Sequence, residues 1–146
     1  MRGLIVVGVT ALILAGCATT PVSLGDATAV PAERIFAQAS GAAKDWPRIT
    51  VVRDSGYLAS GCDFGFYLDG RLAARMAVGE RFSIEVPPGE HILGAAIVGR
   101  ALCSFGEDQR REIASIVQPG EKKVYRISAR SDGGVLIEPT TMLQAR

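Results

Sequence analysis

Between Phe64 and Leu93 the apolar and polar positions fall into short runs separated by turn residues, and the runs are too short for helices. Phe64-Gly65-Phe66-Tyr67-Leu68 leads into Asp69-Gly70, after which Arg71-Leu72-Ala73-Ala74-Arg75-Met76 resumes. Asp-Gly between apolar runs predicts a tight β-hairpin, because both residues tolerate the positive φ of a primed turn. Arg81 to Val86 alternates with period two, which places Phe82, Ile84 and Val86 on a buried face and Arg81, Ser83 and Glu85 on a wet one. Pro87-Pro88-Gly89-Glu90 stops that strand, and His91 to Val98 is expected to return beside it as a second hairpin.

The remaining chain continues the pattern. Arg48 to Arg53 is β-branched and bounded by Pro47 and Asp54-Ser55-Gly56, so it predicts a strand. Cys62 to Leu68 opens the first hairpin. Arg110 to Val117 is closed by Gln118-Pro119-Gly120-Glu121, Lys122 to Ala129 follows, and Asp132-Gly133-Gly134 turns the chain into Val135 to Glu138. About seven short strands without alternating helices predict an all-β fold, an antiparallel β-sandwich over residues 48–139 with a tail at 140–146. Phe64, Phe66, Phe82 and Tyr125 lie at core spacing. The two Pro-Gly-Glu turns, at residues 88–90 and 119–121, read as one turn chemistry used twice, since their flanking strands do not align. Upstream, Pro31 to Ala39 predicts one short helix, from Pro31 near its start, Glu33 in its first turn and good helix formers after them. Ala18 to Val30 is small and polar without a period, which predicts a flexible tether. Trp46 before Pro47 is held extended and marks entry into the first strand.

At the start of the chain, Arg2 precedes an apolar run from Leu4 to Leu14, well short of the roughly 20 residues needed to span a bilayer. Residues 1–16 therefore read as a removable export signal. Leu14-Ala15-Gly16-Cys17 resembles the lipobox of bacterial lipoproteins. That resemblance implies a thioether-linked diacylglycerol on Cys17, cleavage before it, and an acylated new N-terminus of the palmitate type. It makes residues 17–47 a lipidated cysteine, a tether and a short helix. An ordinary secretory peptide with Cys17 left free is the other reading. Ala18 after the cysteine, where Asp would retain such proteins at the inner membrane, implies the outer membrane, facing the periplasm or the cell surface. Further along, Tyr67-Leu68-Asp69-Gly70, Val86-Pro87-Pro88-Gly89-Glu90-His91 and Gln118-Pro119-Gly120-Glu121 resemble a family of small bacterial envelope lipoprotein domains of unknown function, themselves similar to PEGA-type β-sandwich domains. The resemblance covers about Ile49 to Glu138 and implies a compact envelope sandwich with no agreed enzymatic activity. Cys62 and Cys103 depart from its simpler members.

In an oxidising compartment those two cysteines have one possible pairing, and a Cys62–Cys103 disulfide would add about 4 kcal/mol on the chain-entropy estimate. A metal site is a poor alternative, with His91 as the sole histidine beside them. Removing the leader takes the 16 basic residues to 15 against 15 acidic ones, which argues against nucleic acid or an anionic membrane surface as the main partner, since both call for a basic face. No nucleophile turn, phosphate loop or cofactor motif is present, so no catalytic residue, cofactor or metal is assigned. Oligomeric state is left open. Tyr57 and Phe105 flank the cysteines in loops, and Arg100, Arg110 and Arg111 rim the same region, so these five are the candidate partner-binding residues. Beyond its membrane anchor, the chain is expected to be a binding or structural module that recruits a protein or cell-wall partner through residues 99–111 and a neighbouring strand edge. An inhibitor of a hydrolase such as a lysozyme is the alternative, and an envelope enzyme comes third.

Overall fold

A computed structural model of the chain describes residues 19–37, 41 and 43–142, and within them all side chains but those of Phe105 and Glu107. The expected signal peptide, Cys17 and the end of the expected helix lie outside those residues. The fold is all-β, with nine strands among the described residues where about seven were expected: β1 (Thr28–Ala29), β2 (Arg48–Arg53), β3 (Asp63–Leu68), β4 (Arg71–Met76), β5 (Glu80–Glu85), β6 (Gly89–Val98), β7 (Arg111–Val117), β8 (Lys122–Ala129) and β9 (Val135–Pro139). They form a five-stranded sheet in the order β1-β5-β2-β8-β9 and a four-stranded sheet in the order β4-β3-β6-β7. The sandwich is not purely antiparallel: β1 runs parallel to β5, and β2 runs parallel to β8. Ile49, Val51, Phe82 and Ile127 from the first sheet meet Phe66, Ala74, Met76 and Leu93 from the second in one core, where the Phe66 and Phe82 rings tilt together at 5.9 Å.

The Asp69-Gly70 hairpin forms as the sequence predicts, with φ of 49° and 78° at its two turn residues and β3 paired to β4. The second expected hairpin does not form. β5 pairs with β1 and β2, whereas β6 pairs with β3 and β7, so Pro87-Pro88 carries the chain across from one sheet to the other. Two prolines offer no donors to a hairpin ladder, and β3 and β7 already satisfy both edges of β6. The second Pro-Gly-Glu turn, between β7 and β8, also crosses between sheets at the same end. Phe82, Ile84 and Val86 are nevertheless buried and Arg81 and Ser83 exposed, as the period-two pattern requires.

The spacer expected over residues 18–30 is docked from Thr20 onward. Thr20 and Ser55 exchange backbone hydrogen bonds of 2.7 and 2.9 Å, Thr28 and Ala29 pair with the start of β5, and Ala27 and Val30 are buried. The expected helix is reduced to a single 3-10 turn at Ala32–Arg34. Its Arg34 explains the docking: the guanidinium makes a two-pronged ion pair with the buried carboxylate of Glu80, which also accepts from the Ala77 amide at 2.7 Å. Phe36 and Ala37 then donate to the Ala73 carbonyl and cover the edge of β4. A second 3-10 segment, Ala101–Gln109, packs back on β6 so tightly that a Cβ on Gly106 would lie 2.4 Å from the Ile97 carbonyl oxygen.

Candidate functional site

Three places gather the chain's polar and exposed residues. The first is the end of the sandwich where β2 and β8 finish. Strand parity puts Arg53 on the same face as Ile49 and Val51, so a guanidinium enters the core, only 2% exposed. It lies 3.7 Å from the centre of the Phe64 ring, and donates to the carbonyls of Cys62 and Met76 at 2.7 Å each and of Ala59 at 2.9 Å. Burial pushes its pKa down to about 10, against the pull of the Asp63 and Glu80 carboxylates. The cation is therefore held by carbonyl acceptors and a ring face, and it pins the loop between β2 and β3 from inside. Beside it the buried Asp54 carboxylate pairs with Arg126, which also reaches Glu138 at 3.3 Å. The ion pair raises the Arg126 pKa.

On the outside of this end, Cys62 and Cys103 form the expected disulfide, with their Cα atoms 5.6 Å apart. It staples the β2–β3 loop to the Ala101–Gln109 segment. Tyr57 on the loop is 97% exposed and Leu102 on the segment is 88% exposed, with Leu58 beside them. Arg100 is exposed at the same end. The bond thus brings Tyr57 and Arg100 to one end, as expected, while the Phe105 side chain lies outside the described residues. Arg110 departs from the group: its guanidinium stacks 4.7 Å over the Tyr67 ring and pairs with Glu112 at 3.0 Å, on the outer face of the four-stranded sheet. Arg111 is exposed at the first position of β7.

The second place is the opposite end. His91 Nδ1 lies 2.8 Å from Asp69 Oδ2, and His91 Nε2 lies 2.8 Å from the Pro87 carbonyl. Asp69 Oδ1 accepts from the Ile92 amide at 2.8 Å. Because a carbonyl and a carboxylate both accept, the ring satisfies both partners only as the imidazolium. Burial disfavours that charge, but the Pro87 and Asp69 hydrogen bonds outweigh it and raise the pKa. His91 thus latches the β3–β4 turn to the chain crossing between sheets.

The third is the side of the sandwich where β7 and β9 are the last strands of their sheets. Between them lies a groove of about 640 Å³ lined by Ile113, Ile116, Lys123, Val124, Tyr125 and Pro139 among others. Ile116 is 59% exposed. The Lys123 amine donates to the Ile116 carbonyl at the strand edge, and Ser115 and Tyr125 share a buried hydroxyl hydrogen bond of 2.5 Å at its floor. Sequence reasoning reached β7 only as a strand, since edge position depends on sheet order. Arg53, by contrast, could have been found from strand parity, as the third inward position after Ile49 and Val51. Comparison with protein-family models, with curated proteins and with solved structures finds no match to this chain.

Proposed function

We propose that this chain is a lipid-anchored envelope domain that binds a protein partner as an extended strand laid along β7. In this reading Cys17 carries the lipid, the sandwich stands at the outer membrane, and residues 99–111 flank the binding edge. The observation that carries it is the open side of the sandwich: an edge strand with Arg111, Glu112, Ala114 and Ile116 exposed, next to an apolar groove. An added strand would gain backbone hydrogen bonds from the edge and side-chain contacts from the groove. Lys123 on the Ile116 carbonyl supports the same reading, because a lysine at an edge discourages indiscriminate pairing while leaving a selective partner able to displace it.

The test is photocrosslinking in intact cells from a benzophenone amino acid at Ala114, with the same group at Arg75 on β4 as control. A discrete adduct at Ala114 that is absent at Arg75 and lost in Ile116→Glu is expected. Adducts of equal yield at both positions, or an Ala114 adduct indifferent to Ile116→Glu, would refute binding at this edge. Inhibition of added lysozyme by the purified domain would favour the hydrolase-inhibitor reading.

A further inference from the structure

We infer that the end of the sandwich bearing Tyr57, Leu58 and Leu102 rests on the lipid bilayer surface, so that the anchor fixes the domain's orientation. The inference rests on the reading of Cys17 as the lipidated residue. Thr19 lines a shallow depression together with Ser55 and Leu58, and Thr20 is hydrogen-bonded to Ser55. Only Ala18 separates Thr19 from Cys17, and the two residue steps between them span at most about 7 Å even when fully extended. A diacylglycerol on Cys17 therefore holds this end within about one residue pair of the headgroups. That gap is narrower than a helix with its side chains, roughly 10–12 Å across, so no layer of another protein fits between.

The side chains at this end suit that position. Tyr57 and Leu102, exposed at 97% and 88%, sit on the two segments joined by the Cys62–Cys103 bond. A tyrosine places its ring at headgroup level with its hydroxyl wet, and a leucine beside it enters the acyl boundary. Exposed Arg100 adds a cation suited to lipid phosphate. Internally, Arg53 and the disulfide stiffen the β2–β3 loop that carries Tyr57. The β7 edge, on the side of the sandwich, is left open to a partner.

Trp46 provides a built-in control. It precedes β2 at the far end, and the six residues of β2 put it about 20 Å from the proposed contact. The acylated mature protein is reconstituted in vesicles of phosphatidylethanolamine and phosphatidylglycerol doped with brominated phosphatidylcholine. In a Tyr57→Trp, Trp46→Phe variant, the indole emission is expected to shift blue and to be quenched by the brominated lipid, as for a group buried about 5–10 Å into the interface. The wild-type Trp46 emission is expected to stay unchanged. If Trp46→Phe fails to fold, Tyr57→Trp alone is read against wild type, and Leu102→Trp gives a second position. Mass spectrometry of the same sample separates two failures. An acylated Cys17 with an unquenched indole overturns this inference alone, and an unmodified Cys17 overturns the anchoring with it.

Discussion

Arg53→Met is the substitution that most directly tests how the disulfide-bearing end is built. Methionine retains much of the side-chain volume, so the cavity contribution is small and the loss falls mainly on the three carbonyls of Ala59, Cys62 and Met76. The Met76 carbonyl is in a buried bond and loses its partner outright, while water reaches the other two more readily. At about 1–3 kcal/mol for a buried orphan and less for the others, the gross cost is about 3–5 kcal/mol. Removing a charge that burial disfavours, as its depressed pKa near 10 shows, returns part of this. The net expectation is a loss of about 2–4 kcal/mol, or roughly 8–16 °C in Tm at about 4 °C per kcal/mol for a domain of this size. Arg53→Lys keeps the charge but not the fork, and should fall between wild type and Arg53→Met. Urea and thermal unfolding give the stabilities, and hydrogen exchange should show faster opening of residues 54–62 in both variants. A variant as stable as wild type would refute the reasoning, since it would mean that an apolar side chain serves this site as well as the cation does.

Three further outcomes follow from the same structure. Arg126→Met leaves the buried Asp54 carboxylate without its cation and should cost about 3–5 kcal/mol, read from the urea midpoint; a change below about 1 kcal/mol would contradict the pairing. Reducing or deleting the Cys62–Cys103 bond should cost about 4 kcal/mol and loosen residues 101–109 first, which hydrogen exchange resolves. The His91 latch makes stability depend on pH in a defined direction: its pKa is raised in the fold, so its contribution is complete below the ordinary histidine value of about 6.5 and lost as pH rises through the raised value. His91→Gln should remove that pH-dependent component, and an unaltered stability-pH profile would show that the latch is not charged.

What the sequence disclosed was whatever is decided locally. The Asp69-Gly70 hairpin was legible because two positive-φ residues specify their own turn, and the buried face of β5 because period two survives any choice of partner. Pro87-Pro88 shows where this stops: prolines announce the end of a strand, but whether the next strand returns alongside or crosses to the other sheet depends on partners far away in the chain, here β2 and β7. The same distance hid the docked segment at residues 20–37, whose hold on the body comes from Arg34 reaching Glu80 and from short backbone contacts to Ser55, β5 and Ala73, none of which leaves a periodic trace. At the candidate sites, two cysteines sufficed to foresee the bond between them. The stacking of Arg110 on Tyr67 was not legible, because it requires β3 and β7 to be two strands apart in one sheet. The β7–β9 groove exists only once both strands are known to be edges.

The proposed anchor at Cys17 underlies both the binding proposal and the proposed orientation on the bilayer, and intact-mass analysis of the processed protein from native membranes tests it most directly. The account predicts a chain that begins at Cys17 and carries a diacylglycerol thioether with an acylated amino group. A chain that still begins at Met1, or one cleaved to leave Cys17 as a free thiol, would contradict it.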